Sequence, residues 1–116
     1  MNNCVEVKVS SIHGKGVFAK CNIKKGEVIA ESHVILLHHN EQLPEQLATL
    51  EFPWDDEYYA LCISDVGSFF NHSKQANTRI HQNQDKKTQE FIALCDIRKG
   101  DEVMIYYNDK FEEFIR

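Results

Sequence analysis

The chain has 116 residues, 42% of them apolar and 10% aromatic, which suits one domain with its own core and excludes a disordered chain. Thirteen Lys and Arg against eighteen Asp and Glu leave a formal charge of −5, which argues against a protein built to grip phosphate backbones and favours a basic partner such as a lysine-rich peptide. No apolar run approaches the length of a membrane span, and nothing reads as an export signal.

In chain order, "CVEVKVS" (4–10) alternates, with Val5, Val7 and Val9 on one face, and predicts a half-buried strand. The Gly-x-Gly of "HGKGVFAK" (13–20) predicts a turn into a short apolar strand. "NIKKGEVIAESHVILLHH" (22–39) places a Lys-Lys-Gly turn between strand-like runs of Val and Ile. Residues 40–57 hold both prolines, Pro44 and Pro53, and many carboxylates; they read as a loop region with a short helix across 43–50. "YYALCI" (58–63) fits a strand or a helical turn equally. "SDVG" (64–67) reads as a helix or turn start, and "TRIHQNQDKKTQEFIALC" (78–95) as a hairpin with its polar tip near Asp85 to Lys87. "DEVMIYY" (101–107) is the final strand, with Val103, Ile105 and Tyr107 on one face.

One internal echo stands out. "AKCNIKKGE" (19–27) and "ALCDIRKGD" (93–101) match without a gap as A-x-C-[ND]-I-[KR]-K-G-[ED]. Two similar turns meeting one local demand would produce this, as would a β-turn-β unit used twice. Either way the chain is β-rich, with many short strands.

The four cysteines, Cys4, Cys21, Cys62 and Cys95, lie far apart with no C-x-x-C pair. They are expected to be small, mostly buried, reduced residues of an intracellular, cytoplasmic protein, and not zinc ligands or a disulfide framework. His33, His38 and His39 lack metal-ligand spacing, since neighbours on a strand point oppositely; they are expected to be solvated loop residues. No G-x-S-x-G elbow surrounds any serine, so covalent hydrolase chemistry is disfavoured. The unusual stretch is "FFNHSKQAN" (69–77). Two phenylalanines that want burial adjoin Asn71, His72 and Ser73, whose polar groups need partners if held beside a core.

Taken in order, "GKGVFAK", "GSFFNHSKQAN" and "DIRKGDEVMIYYNDKF" resemble the SET domain of protein lysine methyltransferases, from about Val5 to Phe111. The middle stretch is similar to the family's N-H-S-x-x-P-N pattern, the last to its G-E-E-[apolar]-x-x-x-Y. The resemblance is strongest to short viral and bacterial SET proteins. It implies a mostly β, β-clip-like fold of several small sheets with short helices and a C-terminal pseudoknot. It implies one domain over 1–116, with neither a preceding segment nor a zinc-binding one after it. By the same resemblance the cofactor is S-adenosylmethionine, held by Lys15, Gly16, Phe70, Asn71, His72 and Tyr107, and no metal is needed. Asn77 is expected to brace the knot. Tyr107 matches the catalytic tyrosine, and Phe111, with Tyr106 and Phe114, would line the lysine channel.

The chain departs from the family in places. Ala76 replaces the proline before Asn77, which would loosen that turn, and Lys74 stands where larger members often carry cysteine. With so little chain after Phe111, the channel needs another wall, from Phe114 and Ile115 or from a second subunit, so a homodimer stays open. Glu45, Glu51, Asp55, Asp56 and Glu57 would suit a basic peptide, or form a solvated acidic loop. The expected activity is lysine N-methyl transfer to a protein or histone-like tail, in the cytoplasm or on nuclear histones, with no nucleic-acid or membrane partner. The alternative is a catalytically silent SET-like domain that binds basic peptides.

Overall fold

The computed structural model describes residues 4–11, 14–48, 50–62 and 66–106. In chain order these form β1 (Val5–Val9), β2 (Lys15–Ala19), β3 (Val28–His38), α1 (Glu45–Ala48), β4 (Phe52–Pro53), β5 (Tyr58–Cys62), β6 (Asn71–His72), β7 (Thr78–Asn83), β8 (Thr88–Ala93) and β9 (Glu102–Ile105). Neighbouring strands run β1-β2-β9-β7-β8-β3-β5-β4, with β6 also pairing β9. Tyr58–Cys62 of "YYALCI" resolve as strand because Val34 to His38 of β3 offer a continuous antiparallel partner. Of the short helices expected, α1 is present among the described residues.

Two apolar clusters fill the interior. One gathers Val17, Ala19, Ile23, Ile29, Ala93, Ile97 and Val103; the other gathers Ala30, Val34, Phe52, Trp54, Ala60, Cys62, Phe91 and Ile105. β3 feeds both, because a register shift between Val28 and Ala30 lets the adjacent Ile29 and Ala30 both be buried. β9 also feeds both along one face, Val103 joining the first cluster and Ile105, two positions on, the second. Phe70 packs against both and stacks on Phe91 with ring centroids 4.2 Å apart. Only one of the two adjacent phenylalanines is satisfied this way; Phe69 is exposed.

The sequence echo is a structural symmetry. Ile23 and Ile97 exchange backbone bonds, each N–H donating to the other's carbonyl at 2.8 Å. Asp96 Oδ1 accepts from Lys25 N–H at 2.9 Å, and Asn22 Oδ1 accepts from Lys99 N–H at 3.0 Å. The fourth residue of each copy thus caps the turn of the other. Gly26 and Gly100, at φ of 89° and 95°, supply the left-handed turn positions. The unit is used twice and the two uses clasp each other.

Several expectations need correction. Val9 is 82% exposed, so β1 is buried less than its alternation suggests. Cys4 and Cys21 form a disulfide, with Cα atoms 5.3 Å apart, because the β1–β2 register brings the ends of a 17-residue separation together. Cys95 is exposed, which leaves Cys62 as the buried free thiol that was expected. His38 ends β3 with its ring edge-on to Tyr58, and His39 lies against Tyr59 at 4.2 Å, so both are half-buried partners of β5, not solvated loop residues.

Cys62 sits in a tight place. Gly67 passes so close that a Cβ there would collide with Ser32 Oγ, and Gln89 Nε2 donates to Cys62 Sγ at 3.4 Å. Burial pushes the thiol from its usual value near 9 up to about 11, against the smaller opposing effect of hydrogen bonds from Ser32 and Gln89. An unfolded chain releases this proton first, so the contribution is intact below about pH 9 and is lost as pH rises towards 11. Denaturant titrations across that window should show wild type losing about 2 kcal/mol more than Cys62→Ser, which does not ionise there.

Candidate functional site

The polar residues beside the core find their partners across three distant segments. β2 lies between β1 and β9, with Val17 opposite Val103 and Phe18 opposite Glu102. β6 runs parallel to β9, with Asn71 opposite Met104 and His72 opposite Ile105. Asn71 therefore reaches both: its Nδ2 donates to Glu102 Oε2 at 2.7 Å and to the Lys15 carbonyl at 3.2 Å. Ser10 Oγ donates to Glu102 Oε1 at 2.8 Å. Glu102 is half-buried, and among the described residues no cation pairs with it. A half-enclosed carboxylate without a counter-charge favours a ligand carrying positive charge.

Gly16 is required here for space. A Cβ at this position would collide with Glu102 Oε2 and lie 2.8 Å from Asn71 Nδ2, so only glycine lets the carboxylate and amide meet against β2.

Asn77 braces β9 within this arrangement. Its Nδ2 donates to the Glu102 carbonyl at 2.9 Å and its Oδ1 accepts the Met104 N–H at 2.9 Å. Its own N–H donates to the Met104 carbonyl at 3.2 Å. The turn before it is held without a proline at position 76: Ser73 Oγ accepts the Gln75 N–H at 3.1 Å, and Ser73 N–H donates to the Ile105 carbonyl at 2.9 Å. β9 is thus enclosed, with β2 and β6 along one edge and Asn77–Thr78 along the other. The continuation that would complete a pseudoknot lies outside the described residues.

Of the residues singled out in the sequence, Lys15, Gly16, Asn71 and His72 come together at this cluster. Tyr106 joins them, its ring stacked on His72 at 5.3 Å. Phe70 is directed into the core, as its contacts with both apolar clusters show. Tyr107, Phe111, Phe114 and Ile115 lie outside the described residues. Among the acidic residues of 43–59, Asp55 is a turn former, its Oδ1 accepting from Glu57 and Tyr58 N–H at 2.8 Å each. Glu51 is raised above the usual carboxylate range by burial, with His39 opposing.

Two residues escaped the sequence reading, Glu102 and Ser10. A signal for Glu102 was present. In the repeated unit Asp101 matches Glu27, and the next residue is Val28 in one copy but Glu102 in the other. A second acid at the start of an apolar strand exceeds what the turn needs. The dependence of Gly16 on Glu102 can be measured. Gly16→Ala should destabilise by about 1–3 kcal/mol, and Glu102→Ala by about 1–3 kcal/mol. The double variant in a denaturant cycle should cost clearly less than the sum, because removing the carboxylate clears room for the new methyl.

Comparison with known proteins agrees with this geometry. No curated protein sequence matches the chain. Among solved structures, a Plasmodium falciparum protein provisionally designated a histone methyltransferase superposes with a TM-score of 0.75 at 27% identity, over 93% of this chain and 96% of that one. The SET domain family matches residues 14–108. With that match running through the Gly16, Asn71 and Glu102 segments alike, and with a mostly β fold shared with the solved structure, the chain belongs to the SET domain family.

Proposed function

We propose that the protein is an S-adenosylmethionine-dependent protein lysine N-methyltransferase. The observation that carries this reading is the meeting of Lys15–Gly16, Asn71–His72 and Glu102–Tyr106 at one half-buried polar cluster. The donor set fits the cofactor: its sulfonium and ammonium outweigh its carboxylate, and the Glu102 charge stands beside the segments that would hold it. When bound, the cofactor supplies an electrophilic methyl group on sulfur.

The remaining work falls to the chain. Lysine must arrive as the neutral amine, although its free pKa is about 10.4. A narrow apolar channel disfavours the ammonium form and lets the proton leave to solvent, without a side-chain base. In this proposal the Tyr107 oxygen orients the amine and accepts weak C–H contacts from the methyl. Acceleration comes from alignment and exclusion of water, while Asn71, fixed by Glu102 and the Lys15 carbonyl, keeps the cofactor segments in register. In this proposal the phenylalanine at position 111, in place of a tyrosine that would crowd the amine, allows the product to extend to di- or trimethyl-lysine. The acidic residues Glu45, Asp56 and Glu57 are exposed and suit a basic, histone-like tail.

Calorimetry should show saturable S-adenosylmethionine binding that Asn71→Ala weakens about tenfold or more. Tyr107→Phe should keep that binding and lower turnover on a lysine peptide on the order of a hundredfold. Binding without any turnover by wild type would point instead to a silent, peptide-binding SET domain. Mass spectrometry of exhaustively treated peptide should show di- or trimethyl product, and Phe111→Tyr should shift it towards monomethyl. A wild-type product that halts at monomethyl contradicts the role given to Phe111.

A further inference from the structure

We propose that the outer edge of β1 joins the same edge of a second copy, in an antiparallel, two-fold pair centred on Val7. β1 is the end strand of the sheet order, with β2 as its partner among the described residues. Lys20 N–H donates to the Cys4 carbonyl and Ser10 N–H donates to the Gly14 carbonyl, so the even-numbered residues turn their backbone groups towards β2. By alternation, Val5, Val7 and Val9 turn theirs outward, as an open template for another strand.

The side chains select what that strand is. "VEVKV" is self-complementary when it is paired antiparallel about its centre. Val7 then faces Val7, Val5 faces the partner's Val9, and Glu6 faces the partner's Lys8, twice by symmetry. All outward backbone groups meet outward groups in this register, and both charge pairs are of opposite sign, the arrangement that stabilises cross-strand neighbours. Shifting the register by two residues breaks the charge match, because Glu6 or Lys8 then faces its own kind. Val9, 82% exposed in the single chain, would be covered by the partner's Val5. Lys8 already lies along the sheet, its Nζ 5.5 Å from the Phe18 ring centroid. The disulfide of Cys4 with Cys21 holds one end of this edge and the Ser10–Gly14 bond holds the other, so little order is lost on pairing.

Sedimentation velocity across a concentration series tests this without reference to catalysis. Wild type should show reversible dimerisation. Glu6→Lys and Lys8→Glu should each weaken it at least about tenfold, because each puts like charges opposite one another twice. Mixing the two single variants should restore a heterodimer, and the double reversal Glu6→Lys/Lys8→Glu should restore a homodimer. Val7→Pro removes an outward donor while leaving the β1–β2 bonds intact, and should give a folded monomer by circular dichroism. A wild type that stays monomeric, single reversals that still dimerise, or a mixture that does not associate would each overturn the proposal.

Discussion

Four residues, Glu102 to Ile105, are gripped from both sides, and the rest of the molecule depends on that grip. β2 and β6 share one edge of β9, while the start of β7 takes the other. β7 begins opposite Ile105, and the gap before it in the ladder would strand the Glu102 carbonyl and the Met104 N–H. The Asn77 side chain fills it, donating to one and accepting from the other as a peptide group would. With β9 so fixed, Val103 and Ile105 can enter two different apolar clusters, and the Glu102 carboxylate is delivered to Asn71.

Glycine serves two distinct purposes around this strand. Gly26 and Gly100 are needed for backbone conformation, and adding a Cβ there would meet open space. At Gly16 and Gly67 the requirement is room for a neighbouring segment. The second kind places a carboxylate, an amide and a buried thiol against backbone at distances that side chains on both partners would forbid.

Local pattern carried much of this into the sequence. β2 was read as a short apolar run after a glycine turn, β7 and β8 as a hairpin and β9 by alternation, and the polar tip of the hairpin fell within the turn at residues 84–87. The echo at 19–27 and 93–101 revealed a repeated turn; the resemblance, not local pattern, named the Lys15–Gly16 and Asn71–His72 segments as cofactor-binding, and the structure sets them side by side. What escaped depended on contacts between distant residues. The Cys4–Cys21 bond follows from the hairpin register, not from cysteine spacing. His38 and His39 looked like a polar run until β5 brought tyrosines beside them. Glu102 looked like a strand start because its partners, Ser10 and Asn71, are 92 and 31 residues away.

The clasp between the two turns has a consequence for how the chain acquires its structure. Its capping bonds join residues 71 and 77 positions apart, so no part of it can close until Asp96 to Lys99 have been made. Loops that long are slow to close, and contact order of this kind places folding well behind that of helical domains. On the ribosome, the β1–β2 hairpin and the β3–β5 ladder can form early, but they leave the flank that β9 will occupy uncovered. β9, the last of the described strands, therefore both joins β2 to β7 and assembles the polar cluster. A chain released short of residue 102 would lose its fold and its candidate site together.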